Sequence, residues 1–206
     1  MGVAAEGRFA YLYDLFFDGI LKSIRVKNKE IIRENHCKKI VDLGCGTGSQ
    51  LQILSNNQCK MIGLDNSEKM IQIAKRKNIP QTMFFSEDIL ENTLSDHIFD
   101  AAIITLVLHP NDYKTIKRIL YEAQRLVKKQ GIIIITDYDN SIGLKGKIAS
   151  GIIQIIESFA NESHRKNYFS FMKQGGIGRL LTRENYQILT SISYYSGSLI
   201  IYVIKV

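Results

Sequence analysis

The apolar positions of this chain change period twice along its length. They first recur at 9, 12, 13, 16, 17, 20, 21 and 24, the spacing of one helix face, so an amphipathic helix is predicted over "RFAYLYDLFFDGILKSIRVKN". From about residue 38, short β-branched runs alternate with helical periods. "KKIVDL", "CKMIGLD", "QTMFFSED", "FDAAIITLVLH" and "GIIIITDYD" read as five strands with crossover helices between them, which predicts a parallel sheet. Ser67 is placed to cap the helix "EKMIQIAKRK", and Pro80 ends that unit. Ile116, Ile119, Leu120, Ala123, Leu126 and Val127 mark the apolar face of a helix before the fifth strand. Residues 141–182 then carry two helical stretches. Ile148, Ile152, Ile155, Ile156 and Phe159 share a face in the first, and the second, "SHRKNYFSFMKQGG", closes on two glycines suited to a C-cap. Two strand-like runs around Ser196-Gly197 predict a terminal β-hairpin.

The expected fold class is α/β: a three-layer sandwich around a mostly parallel, seven-stranded sheet with a C-terminal antiparallel hairpin. A length of 206 residues suits one domain. Its expected segments are an N-terminal helical lid (1–33), a core (34–140), a helical cap insertion (141–182) and the hairpin (183–206).

Composition narrows the setting. A hydrophobic fraction of 45% with 23% charged residues is ordinary for a globular protein. No apolar run approaches the roughly 20 residues of a membrane span, the opening lacks the build of a secretory signal, and Glu6 breaks a myristoylation pattern, so a cytoplasmic location is expected. Cys37, Cys45 and Cys59 form neither an even disulfide set nor a Cys-x-x-Cys pair, which predicts reduced buried thiols and no metal. The net charge of +7 admits contact with nucleic acid, anionic lipid or an acidic substrate without choosing among them.

The chemistry concentrates in "VDLGCGTGS", residues 41–49, a glycine turn between a strand and a helix where backbone can approach a ligand closely. Gly44, Gly46 and Gly48 stand at alternate positions and Ser49 occupies the sixth, so the dinucleotide fingerprint fits poorly. No Gly-Lys-Ser/Thr follows, which excludes a Walker loop. Asp42, two residues before the first glycine, repels a pyrophosphate and favours a cation.

On Asp42, Gly44, Gly46 and Gly48 the sequence resembles the class I S-adenosylmethionine (SAM) dependent methyltransferases, whose first motif is an acidic residue, any residue, then Gly-x-Gly-x-Gly. The resemblance continues in order through "GLDNS", "SEDIL", "FDAAIITLVLH" and "EAQRLVKKQGIIIITDYD", with Lys129-Gln130 in place of the usual Pro-Gly. It implies a Rossmann-like fold with SAM as cofactor. It places Asp65 on the ribose hydroxyls, Asp88 and the Ile89 backbone on the adenine, and Cys45, Asn66, Met70 and Thr105 among the cofactor contacts.

The acceptor is expected near "TLVLHPND". That segment lacks an Asn/Asp-Pro-Pro-Tyr motif and a cysteine nucleophile, which disfavours several nucleic-acid methylations. His109 is the candidate base or orienting group, Tyr138 faces the same region, and Thr105, Asp137 and Asp100 are equally readable as local structural partners. "YLYDLFFDGILKSI" resembles the N-terminal helix of ubiquinone and menaquinone C-methyltransferases and related small-molecule enzymes, which implies a lid role for Tyr13. Ile148, Ile152, Ile156, Phe169 and Met172 suit an apolar acceptor, while Lys145, Lys147, Arg165 and Lys166 suit an anionic head group or membrane surface. The expected reaction is direct in-line methyl transfer to a small-molecule or lipid-like acceptor, quinones being one candidate class. RNA methylation and non-catalytic SAM binding are the alternatives.

Overall fold

The computed structural model describes residues 21–55, 58–140, 151, 154 and 162–206. The chain divides into two compact units, residues 1–36 and 37–206. In the first, residues 21–34 are helical (α1), the described part of the predicted amphipathic helix. Tyr13 and the insertion residues Lys145, Lys147, Ile148, Ile152, Ile155, Ile156 and Phe159 lie outside the described residues.

The second unit follows the predicted alternation: β1 Lys39–Leu43, α2 Ser49–Leu54, β2 Lys60–Asp65, α3 Glu68–Arg76, β3 Thr82–Ser86, β4 Phe99–Thr105, α4 Tyr113–Leu126 and β5 Val127–Tyr138. Two further helices, α5 Glu162–Lys173 and α6 Gly176–Arg183, precede β6 Ile188–Tyr194 and β7 Leu199–Lys205. The sheet order is β3-β2-β1-β4-β5-β7-β6. β1 to β5 pair in parallel, and β7 pairs antiparallel with both β5 and β6. The central strands are buried on both faces, as a sheet covered by crossover helices requires: Val41, Leu43, Ile103, Ile104 and Ile133 to Ile135 are all inaccessible to solvent. Ser67 caps α3 as predicted, its hydroxyl accepting from the Met70 amide at 3.4 Å.

Asp100 fastens the amino-terminal edge of the sheet. Its Oδ2 accepts the Lys38 and Lys39 amides, both at 2.8 Å, and its Oδ1 takes Lys128 Nζ at 2.6 Å. Burial opposes its ionisation, but Lys128 and the two amides outweigh that and hold the carboxyl below its ordinary 3.8. Asp100 is thus a structural partner at the edge opposite the glycine turn.

Two local expectations are corrected. α4 runs directly into β5, and Gln130, at φ +74, adopts the left-handed backbone that glycine usually supplies there. α6 is a helix the sequence reading did not expect: Gly175, at φ +102, follows α5 and serves as N-cap of α6. α6 can pack so closely because Gly178 lacks a side chain: a Cβ there would lie 2.7 Å from Asp139 Oδ2 and 2.2 Å from the Tyr202 hydroxyl.

Candidate active site

All three turn glycines have left-handed backbone, at φ +77, +52 and +76 for Gly44, Gly46 and Gly48, a conformation costing other residues about 1–2 kcal/mol. Their surroundings differ. A Cβ on Gly44 would sit 2.4 Å from Val107 Cγ2 and one on Gly48 would sit 2.8 Å from Phe84 Cζ, whereas one on Gly46 would meet nothing within 4 Å. Gly44 and Gly48 are therefore demanded by packing, and Gly46 leaves open space beside the turn. The turn is tied to β2 by the Gly44 and Cys45 amides, which both donate to Leu64 O at 2.8 and 2.9 Å. Asp65 completes the tie, its Oδ2 accepting from the Gly46 amide and its Oδ1 from the Ser67 amide, both at 2.9 Å.

A cleft of about 420 Å³ opens at the carboxyl-terminal edge of the sheet. Gly44, Asp65, Asn66, Asp88, Ile89 and Thr105, all expected cofactor contacts, line it. They follow four different strands, and the fold alone brings them together. Asp88 Oδ1 accepts the Leu90 amide at 2.8 Å and so orients its own turn. Thr105 Oγ1 is buried in the cleft wall with no hydrogen-bond partner among the described residues. Leu106, Val107, Pro110, Asn111 and Thr115 line the cleft as well, and sequence reasoning had not singled them out. All but Thr115 lie in "TLVLHPND", the stretch expected near the acceptor, whose Leu106 takes φ +57 and turns the chain out of β4.

Other expected contacts stand elsewhere. Asp42 is buried on β1 at 2% exposure and is not among the cleft-lining residues. Gly46, Gly48 and Met70 are not lining residues either. Cys45 is buried, and burial first, then Asp42 and Asp65, push its thiol far above the ordinary range, so it stays protonated. Among the described residues there is no group of three or more potential metal-binding side chains. No described helix is long and apolar enough to cross a membrane.

His109 is 1% exposed and does not line the cleft. Its Nδ1 lies 2.8 Å from Asp137 Oδ1, and the same oxygen accepts the Tyr138 amide at 2.8 Å. Asp137 Oδ2 accepts the Leu108 and His109 amides at 2.9 and 3.3 Å. One buried carboxylate thus fixes the segment after β4 to the end of β5. A carboxylate oxygen accepts, which makes Nδ1 the donor of that bond. The imidazole packs against Tyr138, with ring centroids 4.6 Å apart, and against Tyr168 at 6.0 Å. Asp139 is structural, its Oδ2 accepting from Gly178 N and from the Tyr202 hydroxyl at 2.9 Å each.

A doubly wound sheet with an antiparallel last strand, a glycine turn and an acid at the end of the next strand defines the nucleoside-binding α/β class to which many methyltransferases conform. The chain belongs to a methyltransferase-domain family, whose model matches residues 34–187, and it is a SAM-dependent methyltransferase. It is 26% identical to the demethylmenaquinone methyltransferase of Thermotoga maritima over 207 residues, covering 92% of this chain and 89% of the relative. It is 29% identical to the carboxy-S-adenosyl-L-methionine synthase of Campylobacter hominis, over 76% of this chain and 69% of that one. Among solved structures, an O-methyltransferase family protein from Burkholderia thailandensis superposes with a TM-score of 0.71 at 15% identity, covering 97% of this chain and 62% of that chain. The plantazolicin methyltransferase BpumL in complex with SAH, the demethylated cofactor, superposes with a TM-score of 0.67 at 17% identity, covering 99% and 91%.

Proposed function

We propose that the cleft holds SAM and that the chain transfers its methyl group to a small-molecule acceptor with an apolar body. The observation that carries this reading is the convergence of Gly44, Asp65, Asp88 and Thr105 on one cleft at the carboxyl ends of the strands. The residues fit the cofactor. Asp65 offers carboxylate oxygens for ribose hydroxyls, Asp88 with Ile89 suits an adenine edge, and Gly44 brings bare backbone to the cleft wall. Bound SAM supplies an activated methyl on a sulfonium. The chain's own part is to orient the acceptor in line with the breaking bond and to exclude water.

An apolar acceptor is supported by Leu106, Val107 and Pro110, which follow β4 in the cleft wall, and by the quinone-related relative. His109, buried behind the cleft wall, is proposed as an orienting group for the segment after β4, with Asp137 holding it and Tyr138 packed against it. Isothermal titration with SAH tests the cleft: Asp65→Ala is expected to weaken binding at least tenfold, and wild-type affinity in that variant refutes the assignment. Labelled SAM with an acceptor panel tests the substrate class. Transfer to RNA but to no small molecule overturns it.

A further inference from the structure

Thr105 and Thr136 are register partners at the carboxyl ends of β4 and β5. The Leu106 amide donates to Thr136 O at 2.8 Å and locks the two strands at that point. Both hydroxyl oxygens are buried without a hydrogen-bond partner among the described residues, and Thr136 is wholly inaccessible to solvent. An isolated buried hydroxyl destabilises a fold, so two side by side call for an explanation. Thr105 lines the cleft and Thr136 does not. Parallel strands stand about 4.8 Å apart, close enough for rotation about χ1 to bring one hydroxyl onto the other.

We infer that Thr105 and Thr136 form a two-hydroxyl relay in the cleft floor, Thr105 bonding the methyl donor and Thr136 positioning Thr105 from β5. The inference rests on the reading of the cleft as the donor site. In the ligand-free structure the two hydroxyls do not bond each other, and neither has a partner among the described residues. A polar ligand atom above Thr105 closes a chain in which each bond strengthens the next. Thr136 is a positioning residue, since it reaches the ligand only through its neighbour.

The test uses SAH, which keeps every hydrogen-bonding group of the donor. Titration calorimetry and ligand-free melting are measured for wild type, Thr105→Val, Thr136→Val, Thr136→Ser and the double valine variant. Thr136→Val is expected to bind SAH about five- to tenfold more weakly, the worth of about one hydrogen bond. Without ligand it is expected to melt about 3 °C higher, because an isosteric methyl replaces a partnerless hydroxyl. Opposite signs in these two readouts separate positioning from a purely structural role. Thr136→Ser should stay within about twofold of wild type in affinity, and the double variant should bind no more weakly than Thr105→Val alone. Wild-type affinity in Thr136→Val, or penalties that multiply in the double variant, overturns the relay. Asp65→Ala in the same series keeps the two ideas apart. If it binds normally, the cleft assignment falls; if it binds weakly while Thr136→Val binds normally, only the relay falls.

Discussion

Asp137→Asn preserves the volume and shape of the buried carboxylate and removes its capacity to accept on both sides. Each oxygen now receives two N–H groups: Oδ1 from the Tyr138 amide and His109 Nδ1, and Oδ2 from the Leu108 and His109 amides. An asparagine presents one oxygen and one NH₂, and the less costly flip sets the NH₂ against the Tyr138 amide and His109, whose Nδ1 accepts from it once the ring proton sits on Nε2. One protein N–H group, the Tyr138 amide, then loses its acceptor in a site without solvent access. The cost is about 1–3 kcal/mol. For a chain of this size each kcal/mol moves the melting point by about 2–4 °C, so a fall of roughly 2–12 °C is expected by calorimetry at neutral pH. Asp137→Ala should fall at least as far, since all four donors then lose their acceptor. A melting point for Asp137→Asn within about 1 °C of wild type would show that the carboxylate does not fasten the segment after β4, and would remove the basis for orienting His109.

Three further expectations use other parts of the fold. Gly48→Ala should lose about 1–2 kcal/mol to left-handed strain plus the cost of displacing Phe84, whereas Gly46→Ala, with open space around it, should lose the strain alone; urea melts of the pair check the contrast. Asp100 is held below its ordinary 3.8, so the stability it contributes is complete above that value and is lost as pH falls through the lower folded value. Urea midpoints for wild type and Asp100→Asn should therefore converge as pH is lowered from 5 towards 2, and a constant gap refutes the linkage. Burial pushes the Cys37 thiol up to about 12 and raises Cys45 and Cys59 as well, so a thiol reagent at about pH 8 should label the native protein only as fast as it unfolds. Immediate native-state labelling of any of the three counts against this packing.

The parallel half of the fold is legible because its signals are local: a β-branched run, a glycine turn or cap, then a helical period. Asp65, Asp88 and Thr105 could be placed at strand ends for the same reason. What lay beyond reach depended on contacts distant in sequence. Nothing near Leu199–Lys205 announces that this last strand inserts between β5 and β6, since that choice follows from which sheet edge remains to be covered. Asp42 looks like a ligand residue in the motif, yet its depth on β1 is set by the neighbouring strands β2 and β4. The burial of His109 depends on α5, which brings Tyr168 over it from about sixty residues further along. Asp137 did carry a sign, a carboxylate inside "IIIITDYD". Which backbone amides it would capture became apparent only when the segment after β4 folded back onto it.

The insertion of β7 between β5 and β6 also has a consequence for biosynthesis. β5 emerges from the ribosome about sixty residues before the strand that covers it. At about 5–20 residues per second, its outer row of amides and carbonyls waits roughly 3–12 s for a partner. During that interval an all-apolar edge, Ile132 to Ile135, is open to pairing with another nascent chain. Lys128, Lys129 and Gln130 near the start of β5, and the acidic Asp137 and Asp139 near its end, flank that run with charge and polarity where the chain is most exposed to aggregation.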